Sequence, residues 1–292
     1  MLAMPGTAEE VVARVRAEDK AIADQLGWMS DIGSSIRLLI AGMLVKNGDS
    51  AQAFLAEVER VCAMFRKAKV RRARIYETIA ILVMRQRLGN QPITEAHVER
   101  FKAIYEELKR YHWFLTGVDD FPACAILVGQ QGEPEAIGRE IEDVYQALRK
   151  RAKLWRGDPL QTAANVLYLS GLEADEIAER FARLATGFKA AGVRIGQAEY
   201  DELAVLCFLA RPLESIVESV VGMRDRIRTE LKSVDKGFAF SLGTSIAFVQ
   251  LVAGHEDLGP LADAKMLLDM QAILAARQAA MAAAAATGAS SA

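Results

Sequence analysis

The chain has 292 residues, with 36 Lys and Arg against 38 Asp and Glu, and a formal net charge of -2. Apolar residues make up 52% and charged residues 25%, which excludes a disordered or collagen-like chain. The near-neutral balance argues against a dedicated nucleic-acid binder, which carries a basic excess. A chain of this length holds about two domains or one repeat array, because arrays grow without a single central core.

Residues 1–29 are read as an N-terminal capping segment, with a charged amphipathic helix over residues 8–26. The first ten residues show neither a basic n-region nor an apolar h-region, so no signal peptide is expected. An apolar helix is predicted from Ile32 to Val45, stopping at Asn47-Gly48-Asp49. Phe54, Val58, Val61 and Phe65 follow at helical spacing and mark one face of an amphipathic helix. Ile75 to Met84 is again apolar and ends near Gly89-Asn90. Val98, Phe101, Ile104 and Leu108 form its partner stripe.

From here the pattern tightens. The stripe Ile137, Ile141, Tyr145 and Leu148 returns as Ile177, Phe181, Leu184 and Phe188. It returns again as Ile216, Val220, Met223 and Ile227. Gly117, Gly157, Gly196 and Gly237 are separated by 40, 39 and 41 residues. Each precedes a strongly apolar helix, over Cys124–Val128, Ala163–Leu169, Leu203–Leu209 and Ile246–Val252. Gly129 with Gly132, Gly171, Pro212 and Gly254 close those helices. Glycine suits the left-handed end of a helix, and proline cannot continue one.

Two markers with one period predict an all-α fold. The expected architecture is a right-handed α-solenoid-like array of about six helical hairpins of ~40 residues. Each hairpin pairs a very apolar inner helix with an amphipathic outer one. A closed α/α ring is the alternative. Residues 30–276 are read as one helical-repeat domain, and residues 277–292 as an Ala-rich flexible tail with nothing large to pack.

Cys62, Cys124 and Cys207 are far apart and form no C-x-x-C pair, so they are read as buried apolar residues in a reducing compartment. No apolar run approaches the ~20 residues that span a bilayer. A cytoplasmic protein without membrane insertion is expected.

The stretch His112-Trp-Phe-Leu-Thr-Gly-Val-Asp-Asp-Phe-Pro122 resembles a bacterial family catalogued only as a domain of unknown function. That family carries a His-x-Phe-Leu-Thr-x-x-Asp-Asp-aromatic signature. Phe188-Lys-Ala-Ala-Gly-Val-Arg-Ile-Gly-Gln-Ala-Glu-Tyr200 is similar to the family's link into a later apolar helix. The resemblance covers about residues 30 to 255. It implies a helical cytoplasmic protein and supplies no activity, substrate or cofactor.

The best polar constellation is His112, Thr116, Asp119 and Asp120, at the turn entering a buried helix. Side chains at a helix mouth converge with exposed backbone N–H groups, and this suits a small ligand. The competing reading makes Asp120 an ordinary N-cap, with Pro122 in the first turn and Asp158-Pro159 repeating the arrangement. The sharpest charge cluster is Arg66, Lys67, Lys69, Arg71, Arg72 and Arg74. Two more follow, Arg149, Lys150, Arg151, Lys153 and Arg156, then Arg224, Arg226, Arg228, Lys232 and Lys236. All lie at outer-helix ends, where cations could bind an anionic polymer or merely complement the helix dipole.

Other motifs fail. His255-Glu256 lacks the second histidine of H-E-x-x-H, and His97, His112 and His255 are scattered. Gly243-Thr-Ser245 has no strand before it. Trp28, Trp113 and Trp155 are read as packing residues. No catalytic residue, metal ligand or cofactor is assigned. The leading expectation is a non-catalytic binding or scaffold protein with a protein partner, in preference to a nucleic acid. The alternatives are a ligand site or enzyme at His112/Thr116/Asp119/Asp120, and an anionic-polymer binder using the Arg66–Arg74 edge.

Overall fold

The computed structural model describes residues 6–25, 33–231 and 233–252. Trp28, Lys232, Gly254, His255 and the 277–292 tail lie outside the described residues. Those described are all-helical, with twelve α-helices and no strand. They run α1 (Ala8–Gln25), α2 (Ser34–Lys46), α3 (Ala51–Lys67), α4 (Ile75–Arg87), α5 (Glu95–Tyr111) and α6 (Phe121–Leu127). Then come α7 (Pro134–Arg151), α8 (Asp158–Tyr168), α9 (Ala174–Ala190), α10 (Tyr200–Leu206), α11 (Leu213–Glu230) and α12 (Lys236–Val252). The helices fall into two compact units that divide between Glu135 and Ala136. No described helix is long and apolar enough to cross a membrane.

In the first unit, the predicted stripes of α3 and α5 are the buried faces of those helices. Between them an aromatic ladder forms. Phe65 stacks on Phe101 with centroids 5.1 Å apart, and Phe121 takes the edge-on contacts of Phe101 (5.1 Å) and Tyr105 (5.3 Å). Helix α4 is buried all round from Ile79 to Met84 and packs on α6. A fully buried Phe or Leu contributes roughly 1.5–3 kcal/mol, so these contacts dominate the unit. Helix α1 packs on α2, where Arg37 pairs with Asp19 at 2.6 Å.

In the second unit, α8 packs on α10, and α11 packs on both α9 and α12. Ile177, Phe181, Leu184 and Phe188 of α9 are buried as their spacing predicts. Phe181 meets Tyr200 edge-on at 6.0 Å, and Phe188 meets Phe240 at 5.4 Å.

The short apolar helices begin and end by repeated devices. Ahead of α6 a 3-10 turn spans Val118–Asp120, and ahead of α10 another spans Gln197–Glu199. The Asp120 carboxylate accepts the Gly117 N–H at 2.9 Å, and the Glu199 carboxylate accepts the Gly196 N–H at 2.7 Å. At the exits, an arginine from a long helix clamps backbone carbonyls. Arg60 donates to the Ile93 carbonyl at 2.6 Å. Arg100 donates to those of Val128 (3.0 Å), Gln130 (2.8 Å) and Gly132 (2.8 Å). Arg180 does the same to Cys207 (2.7 Å) and Leu209. The last carbonyls of a helix lack internal partners, and a guanidinium fork satisfies several at once.

Candidate functional site

The His112–Asp120 segment lies in the first unit between α5 and α6. The His112 carbonyl accepts the N–H groups of Leu115 (3.0 Å) and Thr116 (2.8 Å), folding Trp113 and Phe114 into a tight turn. Thr116 and Asp120 are buried, His112 is half-buried and Asp119 is exposed. Both aspartates turn onto Gly117. Asp120 does so through its hydrogen bond, and a Cβ on Gly117 would collide with the Asp119 carboxylate. Pro122 sits in the first turn of α6. Asp120, however, does not cap α6 forward. It ends the 3-10 turn in helical conformation, so its carboxylate reaches back to Gly117.

Under this turn lie Tyr105 and Cys124. Burial pushes the Tyr105 hydroxyl up, with Cys124 and Asp120 adding to the shift and Arg71 opposing it. Arg71 and Asp120 therefore act on the same Tyr105 hydroxyl, with opposite sign. Of the others, Lys67 pairs with Glu95 at 2.7 Å, and Arg72 lies 3.5 Å from Glu77. Arg66, Lys67, Lys69, Arg71, Arg72 and Arg74 are all exposed. In the second unit, Arg151 pairs with Asp175 at 2.5 Å, and Arg224 pairs with Asp225 at 2.6 Å. Lys150, Lys153, Arg156, Arg226, Arg228 and Lys236 are exposed there, and Arg149 is half-buried.

Trp113 and Trp155 correct the packing reading. Trp113 is 74% exposed and Trp155 is 77% exposed. Both stand in turns that follow a long helix, where no second face is available to cover them. Phe114, at 68%, shares the exposure of Trp113.

Sequence reasoning missed two features of the second unit. The first is a set of polar side chains with buried atoms on α8, α10 and α12. Asn165 is 1% exposed, and both its side-chain polar atoms lack a hydrogen-bond partner. Thr244 is buried with its hydroxyl in the same condition. Burial, reinforced by Glu202, raises the Asp201 carboxyl to about 7. The available signal was an Asp-Glu pair running straight into the apolar run Leu203–Leu209.

The second feature is a groove of about 870 Å³ between α9 and α11. Its floor is small or branched: Ala182, Gly187, Ala191, Val217, Val221 and Gly222. The helices approach closely, since a Cβ on Gly187 would meet a Val217 methyl at 3.0 Å. The rim carries Glu179, Glu214 and Glu218, with Arg183 drawn to Glu214 at 4.0 Å.

The cysteines are buried, as their apolar surroundings predict. Burial pushes the Cys62 and Cys207 thiols up to about 12, and Cys124 well above its ordinary value. All three stay thiols near neutral pH, and a thiol is a poor nucleophile. Among the described residues no three His, Cys, Asp or Glu side chains gather as a metal site.

No solved structure matches the chain. An uncharacterized protein of Bacillus subtilis (strain 168), YeaA, is 24% identical over 185 residues. The match covers 62% of this chain and 53% of the relative, so the chain spans about half the length of the curated relative it matches. A family described as "Protein of unknown function (DUF4003)" matches residues 7–279. With almost its whole length inside that match, the chain belongs to this family.

Proposed function

We propose that the protein is a non-catalytic, helical-repeat binding or scaffold protein. Its α9–α11 groove receives an amphipathic, basic helix from a protein partner. The groove carries this reading: about 870 Å³ of space floored by small and branched side chains. Such a floor lets a partner helix lie close, its apolar face inward. Charge selects the partner. Three exposed glutamates line the rim against one arginine, which is already drawn to Glu214. A helix with Lys or Arg flanking its apolar stripe complements that rim.

The alternation of long amphipathic and short apolar helices supports stacked hairpins within each unit, in the manner of an α-solenoid. The raised pKa values of all three separate thiols, and the turning of Asp119 and Asp120 onto Gly117, favour binding over catalysis.

The test uses two synthetic helical peptides with the same leucine stripe, one faced with lysine and one with glutamate. Fluorescence anisotropy should show the lysine peptide binding and the glutamate peptide failing. Glu214→Lys with Glu218→Lys, both at exposed positions, should weaken binding about tenfold or more. Ala182→Trp should block the floor. Equal binding of both peptides, or indifference to all these changes, overturns the reading.

A further inference from the structure

We propose that the first unit docks on anionic lipid surfaces through Trp113 and Phe114, with the Lys69–Arg74 loop supplying the cationic flank. This site is separate from the α9–α11 groove and does not depend on it.

Trp113 and Phe114 are 74% and 68% exposed and pack on each other at right angles, with centroids 5.9 Å apart. Isolated exposed hydrophobes are ordinary, but two large adjacent aromatics leave a contiguous apolar area in water. The knob has a firm base. The His112 carbonyl holds the turn from inside, and Asp120 fixes the next one through Gly117. The rings are thus presented without the ordering cost that a loose loop would carry on binding.

Cations precede this knob on α5, and the exposed Asp119 follows it. Lys109 and Arg110 occupy the last turn of α5. Phe65 at the end of α3 stacks on Phe101 of α5, Tyr105 one turn further on meets Phe121 at the start of α6, and Arg71 of the α3–α4 loop acts on the Tyr105 hydroxyl. Lys67, Arg72 and Arg110 are engaged with Glu95, Glu77 and Glu107. Arg66, Lys69 and Arg71 have no carboxylate partner among the described residues. The chain as a whole is close to neutral, so attraction to an anionic surface comes from this local cluster.

The ring geometry selects lipid over single-stranded nucleic acid. Base stacking needs open ring faces along a charged groove. Here one ring's edge meets the other's face, and the pair projects outward. An apolar knob of tryptophan and phenylalanine, with Lys109 and Arg110 on the helix turn before it, matches the headgroup–acyl boundary of an anionic leaflet. The same cations lie in reach of phosphates, and their long stems tolerate partial burial.

The experiment is cosedimentation of the full chain with vesicles of phosphatidylglycerol and phosphatidylcholine in equal parts. Pure phosphatidylcholine vesicles and a single-stranded oligonucleotide serve as controls. The protein should sediment with the anionic vesicles and not with the neutral ones. Added salt should weaken the binding. Trp113→Ala with Phe114→Ala should lower it about tenfold, and so should Lys69→Glu with Arg71→Glu. All four side chains are exposed, so circular dichroism should match the parent for both variants. Lack of sedimentation, equal binding to neutral vesicles, or binding untouched by either variant overturns the proposal. Tight oligonucleotide binding without vesicle binding overturns it as well and reassigns the cluster.

Discussion

Arg85 and Asp49 meet at two points, Nε to Oδ2 at 2.5 Å and Nη2 to Oδ1 at 3.0 Å. Their side chains are only 10% and 6% exposed. Asp49 sits in the turn after α2 and Arg85 in the last turn of α4. Asn90 ties the same two turns by donating to the Asn47 carbonyl at 2.8 Å. Asp49→Ala would leave a guanidinium buried without its partner. Loss of about 3–5 kcal/mol in urea unfolding is expected. Asp49→Leu with Arg85→Met should recover most of it, because both charges then leave together. A double variant no better than Asp49→Ala would show that the pair supplies more than mutual neutralisation.

The arginine clamps give a second prediction. Arg180 spans the Cys207 and Leu209 carbonyls at the exit of α10. Arg180→Leu would leave those carbonyls without their donor, costing about 1.5–3 kcal/mol. Arg180→Lys keeps the charge and loses the fork, so thermal unfolding should place it between the two. A lysine variant as stable as the parent would reduce the clamp to a simple charge effect.

Asp120 and Glu199 test the turn that precedes the short helices. Each closes a three-residue turn by accepting a glycine N–H. Asp120→Ala and Glu199→Ala should each cost about 0.5–2 kcal/mol, the range of a lost helix cap. Asp120→Asn and Glu199→Gln keep an acceptor and should cost less. Similar losses at both positions, read by calorimetry, support a shared structural duty. A loss at Glu199 alone would release Asp120 for another role.

The long helices were legible because each has one apolar stripe and one polar face. Val98, Phe101, Ile104 and Leu108 announce α5 directly, and all four are buried. Helices α6 and α10 were harder to bound. They are seven residues long; α6 is wholly buried and α10 leaves only the adjacent Asp201 and Glu202 outside the core, so no polar face marks a period. Their glycines, Gly117 and Gly196, revealed the entrances, while the 3-10 turns between glycine and helix stayed invisible. The arginine clamps escaped for another reason. Arg60, Arg100 and Arg180 look like surface charge, and their partners are backbone carbonyls that no residue type encodes. Tryptophan misled, because hydrophobicity predicts burial and says nothing about a turn that offers no neighbour. The groove depends on the approach of Gly187 to Val217, residues thirty positions apart with no shared motif.

Asp201 provides the last prediction. Desolvation first, then the neighbouring Glu202, raises its carboxyl from 3.8 to about 7. The folded chain therefore holds a proton that the unfolded chain gives up near pH 4. This group's contribution to stability is fully present below about pH 4 and is lost as the pH rises through about 7. Asp201→Asn keeps the shape and removes the charge. It should be more stable than the parent above pH 7, by on the order of 1–2 kcal/mol, with the advantage shrinking toward pH 4. The readout is the difference in unfolding free energy between variant and parent across that range, which cancels the other carboxylates. Glu202→Gln should move the transition to lower pH by removing the neighbouring charge. A difference that stays constant from pH 4 to 8 would mean that Asp201 titrates as an ordinary carboxylate, and that water reaches it in solution.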